Sequence, residues 1–136
     1  MEDCIFCKIV NQELASYKVH ESDKVLAFLD VLPMSSGHTI VAPKEHFSDV
    51  ESLPNEILSE MAIIFKKIGK AMMDSLGVEG YSVLLDNKSA ANQHVPHVHF
   101  HIVPRKEGDG FKRWMQSAYE EGEARKIAEQ ISSKIE

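Results

Sequence analysis

The sequence has little cysteine and no long apolar run, and each absence excludes a class of protein. Its two cysteines, Cys4 and Cys7, are too few and too close together for the disulfide framework of a small secreted domain. No apolar run reaches the length that a helix needs to cross a bilayer, so no membrane partner is expected. The acidic N-terminus lacks the charged and apolar regions of a signal peptide. A reducing compartment is therefore expected, and the predicted location is cytoplasmic.

Positive charge is also scarce. The chain has 15 basic and 21 acidic residues, which gives a formal net charge of -6, and no basic run stands out. This balance argues against a general nucleic-acid surface, so a phosphate-containing ligand would need a local pocket. No glycine-rich phosphate loop follows any predicted strand, and neither a Rossmann nor a P-loop nucleotide site is supported.

The rest of the composition is that of one globular domain. With 136 residues, 43% of them apolar and 26% charged, the chain can bury a core, and a single domain is expected over residues 1–136. Hairpin-like succession of strands around one long helix favours an α+β fold with a five-stranded, mainly antiparallel sheet and a C-terminal helix. The predicted strands are 17–20, 24–30, 38–43, 81–85 and 96–104, and the long helix is 54–76.

The predicted ends of the long helix depend on three residues. Ser52 is expected to supply a capping hydroxyl, Pro54 suits the first helical turn, and Gly77 is placed as the C-terminal stop. Apolar residues recur at helical spacing between these positions, so one face of the helix is expected to lie on the core. The last helix has a narrower apolar face, including Ile127 and Ile131, which suits packing on the domain or on a partner chain.

Three histidines, His97, His99 and His101, alternate with apolar residues between positions 96 and 104. Side chains alternate in direction along a strand, so the three imidazoles are expected on one face. A metal or an anion would then lie over that face, or the histidines would do chemistry there. The alternatives are a solvent-facing edge strand and a chance cluster, but three of the seven histidines fall within five residues.

An imidazole in this position suits nucleophilic attack on phosphorus. The neutral ring is well populated near neutrality, because its unperturbed pKa is about 6.5. One ring nitrogen must donate to an acceptor so that the other carries the lone pair. His99 has a histidine on each side and is the predicted nucleophile, with His97 and His101 as its supports. Gln93, just before the strand, is a candidate donor to a phosphate or leaving-group oxygen.

Two further features have more than one interpretation. Asp30 ends an apolar strand, and it either starts a turn or supplies a carboxylate to a site. The Cys4–Cys7 pair can hold one tetrahedral metal, although two reduced thiols buried against the core would show the same spacing. A redox dithiol is less favoured, because no βαβ pattern surrounds the pair.

Several short motifs together resemble those of one known family. The segment 97–103 matches the His-φ-His-φ-His-φ-φ signature of the histidine-triad (HIT) family, and the likeness, closest to the Hint-like branch, covers nearly the whole chain. The sequence departs from the usual pattern at Asn92, His94 and Pro96. The other matching motifs are Phe28-Leu29-Asp30, Gly37-His38, Pro43-Lys44-x-His46, Asn87, Gln93 and Pro104-Arg105.

The resemblance implies an activity and a set of residue roles. The family binds purine mononucleotides, such as AMP or GMP, and cleaves at the α-phosphorus through a nucleotidyl-histidine intermediate. His99 corresponds to the nucleophile, His101 to a phosphate contact, and His38 to a support of the triad. Hint-like proteins are homodimers in which two five-stranded sheets join, so a homodimer is expected. The residues implied in nucleotide binding are Phe28, Asp30, Asn87, Gln93, His99 and His101.

Some bacterial-type members of the branch bind a structural zinc, and the resemblance places all four of its ligands here. They correspond to Cys4, Cys7, His46 and His97. Two thiolates and two imidazoles make a closed tetrahedral set, which is typical of a structural rather than a catalytic zinc site.

The leading functional hypothesis is a Hint-like hydrolase of purine nucleoside phosphoramidates or related nucleotidyl substrates. A dinucleoside polyphosphate hydrolase is the second hypothesis, because the residues after the triad, Pro104 to Lys106, also occur in that branch. A nucleotide-sensing interaction module with incidental hydrolysis belongs to a different class. A zinc-handling protein that uses its histidines only as ligands is the last alternative, and it leaves Asp30 and Asn87 unexplained.

Overall fold

A single antiparallel sheet organises the chain. The structure is a computed structural model, and it describes residues 3–112 and 114–136. The strands are β1 Lys18–Glu21, β2 Val25–Leu29, β3 Thr39–Pro43, β4 Gly80–Leu85 and β5 Phe100–Arg105. They lie in the order β1-β2-β3-β5-β4, and every neighbouring pair is antiparallel. The helices are α1 Ile5–Val10, α2 Asn55–Leu76 and α3 Glu123–Ser132, with a 3-10 turn at Ser89–Ala91. The predicted fold class is confirmed.

The two faces of the sheet are covered by different helices. On one face, α2 packs its buried residues, including Met61, against Val25 and Val41 of the sheet. On the other face, α1 packs Phe6 and Cys7 against apolar residues that include Phe28. Strand β2 is therefore apolar on both sides, as its sequence indicates. The α1 face carries the histidines described below.

The long helix ends as predicted but does not begin as predicted. Gly77 adopts a left-handed backbone conformation with φ 65° and terminates α2. At the other end, Pro54 occupies the N-cap position and no side chain caps the helix. The expected capping role of Ser52 is wrong, because its hydroxyl donates to the backbone carbonyl of Asp49 at 3.0 Å and closes the preceding turn.

One close contact fixes how α2 lies on the sheet. Gly69, in the middle of the helix, faces the ring of Tyr81 on β4, and a Cβ atom at position 69 would come within 2.2 Å of that ring. Glycine is therefore required for the helix to approach the strand this closely.

The fifth strand is shorter than the sequence suggests. It begins at Phe100, so only His101 of the three histidines lies in the strand itself. The segment before it is held by Val98, whose amide donates to the carbonyl of Phe47 at 2.7 Å. Alternation of faces still holds, since Val98, Phe100 and Ile102 are buried on the α2 face. Across the sheet, His101 pairs with Ile40 of β3.

The C-terminal helix packs differently from α1 and α2. None of the residues described in α3 is buried, and Ile131 in the helix and Ile135 just after it are 60% and 75% exposed. Packing of this helix on its own domain is therefore not observed. Across the described residues, no helix combines the length and the apolar character that a membrane span requires.

Candidate active site and metal centre

Two of the three triad histidines border a cavity of about 640 Å³ on the α1 face of the sheet. Both His99 and His101 line it, as does His38, which directly precedes β3. Phe28, in β2, and Asp30, just after β2, also line it, so these residues bring three separate segments of the chain around one space. The other lining residues used below are Phe6, Asp86, Gln93, His94 and Trp114.

The ring of His99 is oriented by the backbone of His97. Its Nδ1 lies 2.7 Å from the carbonyl oxygen of His97. A carbonyl only accepts hydrogen bonds, so Nδ1 carries the proton and Nε2 carries the lone pair. The side chain is 7% exposed, and burial lowers the pKa of His99, which favours the neutral ring. His99 therefore meets both requirements of an imidazole nucleophile.

A chain of hydrogen bonds sets the proton of His101. The amide of Met34 donates to His38 Nδ1 at 3.1 Å, so the proton of His38 must be on Nε2. That Nε2 lies 2.9 Å from His101 Nδ1 and donates to it. His101 consequently holds its own proton on Nε2, where it is a donor. Burial lowers the pKa of both rings, which keeps this neutral arrangement in place.

Both interpretations of Asp30 find support in the structure. Its Oδ1 accepts a hydrogen bond from the amide of Leu32 at 2.9 Å, which is the contact of a turn-starting aspartate. Its Oδ2 lies 3.7 Å from His38 Nε2, and the residue borders the cavity. Phe28 is 3% exposed and lies on the same wall. One carboxylate oxygen thus serves the turn, and the other is placed beside the histidines.

Both the oxygen and the nitrogen of the Gln93 side-chain amide are hydrogen bonded to backbone groups. Its Oε1 accepts from the amide of Lys88 at 2.7 Å, and its Nε2 donates to the carbonyls of Ser48 and Val95 at 2.7 and 3.1 Å. Both N–H groups of the amide are therefore used to hold the loop before the triad. A role as donor to a ligand requires one of these bonds to be exchanged.

Two neighbours of Gln93 occupy different positions relative to the cavity. His94 is exposed and lines the cavity. Asn87 lies outside the set of described residues that line it, and its Oδ1 accepts from the amide of Val50 at 2.9 Å.

The loop between Asn87 and Gln93 has left-handed backbone at Lys88 and Asn92, with φ values of 74° and 66°. Asparagine tolerates this conformation better than lysine does.

Three lining residues were missed in the sequence. Phe6 contacts His99 edge to face at a ring distance of 4.8 Å, although its position between two cysteines marked it only as apolar. The charge of Asp86 acts on His99 and His101, raising the pKa of each against the lowering effect of burial. Asp86 directly precedes Asn87, and this neighbourhood could have marked it as a residue of the site. Trp114 follows a charged segment, and no pattern predicts that it reaches the cavity.

The four predicted metal ligands, one of which is the first triad histidine, come together in one cluster. The donor atoms of Cys4, Cys7, His46 and His97 all lie within 4.8 Å of one another. His97 Nδ1 lies 3.3 Å from Cys4 Sγ and 3.6 Å from Cys7 Sγ, and His46 Nδ1 lies 3.4 Å from Cys7 Sγ. A tetrahedral zinc with bonds of about 2.0–2.3 Å separates its ligands by about 3.3–3.8 Å. The residues present therefore fit a zinc ion.

The chemistry of the donor set also suits a dication. His97 Nε2 donates to the carbonyl of Pro43 at 2.8 Å, so its Nδ1 presents a lone pair to the two sulfur atoms. Burial lowers the pKa of His97 to about 4 and lowers that of His46, which keeps both imidazoles neutral as ligands. Burial raises the pKa of the Cys7 thiol, and a bound cation would counter this by stabilising the thiolate.

One face of the antiparallel sheet thus carries hydrogen-bonded histidines at a cavity, next to a cluster of two cysteines and two histidines. These features define a histidine-based site. The chain belongs to the HIT domain family, whose sequence profile matches residues 11–108. It is 41% identical over 135 residues to an adenosine 5'-monophosphoramidase of Schizosaccharomyces pombe, covering 97% of this chain and 98% of that protein.

Solved structures share the fold over nearly the whole chain. A HIT family protein of Bacillus subtilis superimposes with a TM-score of 0.90 at 35% identity, covering 98% of both chains. A zinc-bound histidine triad family protein of Mycobacterium smegmatis superimposes with a TM-score of 0.79 at 32% identity, covering 97% of both chains.

Proposed function

We propose that this protein is a Hint-like hydrolase of purine nucleoside phosphoramidates or related nucleotidyl compounds. The observation that carries the proposal is the hydrogen bond from His99 Nδ1 to the carbonyl of His97, which leaves Nε2 free as a nucleophile at the cavity. The phosphoramidase activity named for the Schizosaccharomyces pombe relative supports the choice of substrate class.

In the proposed reaction, His99 Nε2 attacks the α-phosphorus and the bond from phosphorus to the leaving nitrogen breaks. The Nε2–H group of His101 donates to a phosphoryl oxygen and stabilises its charge in the transition state. The leaving nitrogen takes a proton from solvent water and departs as ammonia or an amine. His99 then carries phosphorus on Nε2 and a proton on Nδ1, and the carbonyl of His97 stabilises the resulting imidazolium. Water cleaves the phosphorus–nitrogen bond, releases a nucleoside monophosphate and restores His99.

The proposal assigns the remaining predicted residues to the nucleotide. Asp30 binds the ribose hydroxyls through the carboxylate oxygen that the turn does not use, and Phe28 contributes an apolar wall. His38 keeps the proton of His101 in place. Contacts from Asn87 and Gln93 to the ribose and phosphate remain part of the proposal, and they require these side chains to exchange the backbone partners they hold here.

A structural zinc held by Cys4, Cys7, His46 and His97 completes the proposed site. The spacing of the four donors and the zinc named for the Mycobacterium smegmatis relative support it. Because the four ligands form a closed set, this metal would stabilise the fold and take no part in the attack. We also propose a homodimer, in keeping with the Hint-like resemblance.

Trapping the covalent intermediate tests the reaction. Protein mixed briefly with adenosine 5'-phosphoramidate labelled in the phosphate and then denatured should carry an acid-labile adenylyl group on His99. In His99→Ala, the adduct should disappear and turnover should be abolished, while binding of AMP is largely kept. Turnover by His99→Ala close to that of the unsubstituted protein would exclude His99 as the nucleophile.

Parallel kinetics test the substrate class. Adenosine phosphoramidate and guanosine phosphoramidate should give higher kcat/KM values than a diadenosine polyphosphate. A preference for the polyphosphate would favour the second hydrolase hypothesis. Nucleotide binding without measurable turnover of any of the three would favour a sensing module.

A further inference from the structure

The ring of the proposed nucleophile is enclosed between two other rings. Phe6 meets His99 edge to face, with centroids 4.8 Å apart and planes at 90°. On another side, His101 lies 4.7 Å from His99 at 72°. Phe6 itself is 5% exposed and is backed by Phe28, whose ring lies 5.4 Å away. The contact between Phe6 and His99 is therefore part of a packed cluster.

His99 needs such packing to remain in one orientation. The last torsion of a histidine side chain has broad, roughly two-fold preferences, so the ring can turn over at little intrinsic cost. The hydrogen bond from Nδ1 to the carbonyl of His97 sets the tautomer only while the ring keeps this orientation, and it is lost when the ring turns over. A turned ring would present a carbon atom or the wrong nitrogen to the phosphorus.

We propose that Phe6 is a positioning residue for His99, which blocks rotation of the imidazole and so keeps Nε2 directed at the cavity. The inference rests on the proposed function for its catalytic consequence, but the orientation of His99 is a property of the free protein. Phe6 acts through His99 and takes no part in the chemistry.

The location of Phe6 links this role to the metal group, by which we mean the proposed zinc ligands Cys4, Cys7, His46 and His97. It lies between Cys4 and Cys7, and α1 begins with the Cys7 amide donating to Cys4 Sγ at 3.4 Å. Its ring also lies 5.7 Å from that of His97, which belongs to the same group. A zinc ion held by the two cysteines would fix the turn that carries Phe6. The same ion would therefore hold the ring that holds the nucleophile.

The experiment compares Phe6→Leu with Phe28→Leu in zinc-loaded protein. Both residues line the cavity, but only Phe6 contacts the His99 ring. Long-range nitrogen–proton NMR spectra of the histidine rings, recorded without nucleotide, report which nitrogen of His99 holds the proton. In Phe6→Leu we expect a mixture of the two tautomers and a kcat reduced about tenfold, since small misplacements of reacting groups cost up to about 100-fold.

In Phe28→Leu we expect the single Nδ1–H tautomer to persist and the loss to appear in KM. Phe6→Tyr, which keeps the ring edge, should restore the single tautomer and most of kcat. Phe6→Met provides a second apolar replacement if Phe6→Leu loses zinc or folds poorly, with the same expectation.

A single Nδ1–H tautomer in both apolar variants of Phe6 would overturn the proposal, whatever the change in kcat. The NMR readout does not depend on substrate, so it remains decisive even if the protein proves to have no phosphoramidase activity. An altered tautomer with no turnover in the unsubstituted protein would refute the proposed function while upholding the positioning role.

Discussion

At the scale of single residues, the site depends on which nitrogen of each imidazole holds the proton. The carbonyl of His97 fixes this for His99, the carbonyl of Pro43 fixes it for His97, and the amide of Met34 fixes it for His101 by way of His38. Each neutral ring donates from one nitrogen and leaves a lone pair on the other. These backbone groups therefore prepare a hydrogen-bond donor, the proposed nucleophile and a proposed metal ligand from the same residue type.

Asp30 offers a test of ribose recognition. In Asp30→Ala, binding of a ribonucleotide should weaken by about 1.5–3 kcal/mol relative to the 2',3'-dideoxy form, because a charge-assisted hydrogen bond is lost. Asp30→Asn is the matched control, since its carbonyl can still accept from the amide of Leu32 and keep the turn. Titration calorimetry measures both ligands. Equal weakening for both, restored in Asp30→Asn, would show that Asp30 acts only in the turn.

His38 makes stability depend on pH. Its side chain is 1% exposed, and burial lowers its pKa in the folded state below the ordinary value of about 6.5. As pH falls through that value, the unfolded state takes up a proton before the folded state does, so the free energy of unfolding decreases. The slope contributed by this residue is at most about 1.4 kcal/mol per pH unit.

Urea denaturation at several pH values between about 7 and 5 measures this slope. His38→Gln is the suitable comparison, because glutamine can donate towards His101 but does not titrate. We expect a shallower dependence in His38→Gln than in the unsubstituted protein. Identical slopes would show that His38 gains its proton equally in both states.

The residue types of the site could be predicted from the sequence, but not all of their partners. Alternation was sufficient to place His97, His99 and His101 on one side. The partners of Gln93 were not predictable, since the carbonyl of Ser48 lies 45 residues away and no local pattern refers to it. Phe6 was missed for a similar reason, because its contact with His99 exists only after α1 folds onto the sheet.

At the scale of elements, the position of α2 on the sheet depends on the absence of a side chain at Gly69. Alanine normally stabilises a helix interior by about 1 kcal/mol relative to glycine. Here the new methyl group would collide with the ring of Tyr81, so Gly69→Ala should instead destabilise the protein by about 1–3 kcal/mol.

Thermal or urea unfolding measures the effect, and Tyr81→Leu supplies the control. In the double variant, the added methyl group has room, and its cost should largely disappear relative to Tyr81→Leu alone. Stabilisation by Gly69→Ala in the unsubstituted background would show that the strand and helix can separate at no cost.

Periodicity predicted the five strands and the two longer helices, but α1 at Ile5–Val10 was not predicted, and the ends of the elements were predicted less well. Strands β1 to β4 begin and end within a residue of their expected positions. The start of β5 was misplaced, because alternation continues through residues 97–99 although the amide of Val98 donates to Phe47 and not to a neighbouring strand. Ser52 was misassigned as a cap because the competing acceptor, the carbonyl of Asp49, also lies within the local sequence.

At the scale of the whole molecule, the metal group connects distant parts of the chain. Its ligands extend from Cys4 to His97, so zinc binding would constrain most of the sequence and contribute to folding. Protein purified without chelator should contain one zinc per chain. Chelation should lower Tm clearly and reduce kcat less severely.

Cys4→Ser should lose zinc and thermal stability while keeping some turnover, and Ser52→Ala, away from the metal group, is the control. Elemental analysis and calorimetry decide the matter. Well-folded protein that contains no zinc would rule out the site. A complete and reversible loss of turnover on chelation, with Tm unchanged, would assign the metal to catalysis instead.

The unburied C-terminal helix and the free sheet edges bear on the oligomeric state. An isolated helix of ten residues is marginally stable in water, and in the described part of the chain β1 and β4 are edge strands with no strand partner on their outer sides. We expect a second copy to cover part of this surface. Light scattering at micromolar concentration should then give twice the 15.3 kDa mass of one chain. A monomeric mass under these conditions would contradict the dimer.

The side chain of His97 belongs to the proposed zinc site, and its backbone carbonyl accepts the hydrogen bond that orients His99. Every amino acid has a carbonyl, but few have an imidazole. In descent from such a protein, the metal could therefore be lost by mutation of the first triad position without removing the acceptor that orients the nucleophile. The second triad position has no such freedom, because its own ring nitrogen forms the bond to phosphorus in the proposed reaction. The motif can thus lose metal binding and keep an oriented nucleophile, whereas loss of the histidine at the second position would end the proposed reaction.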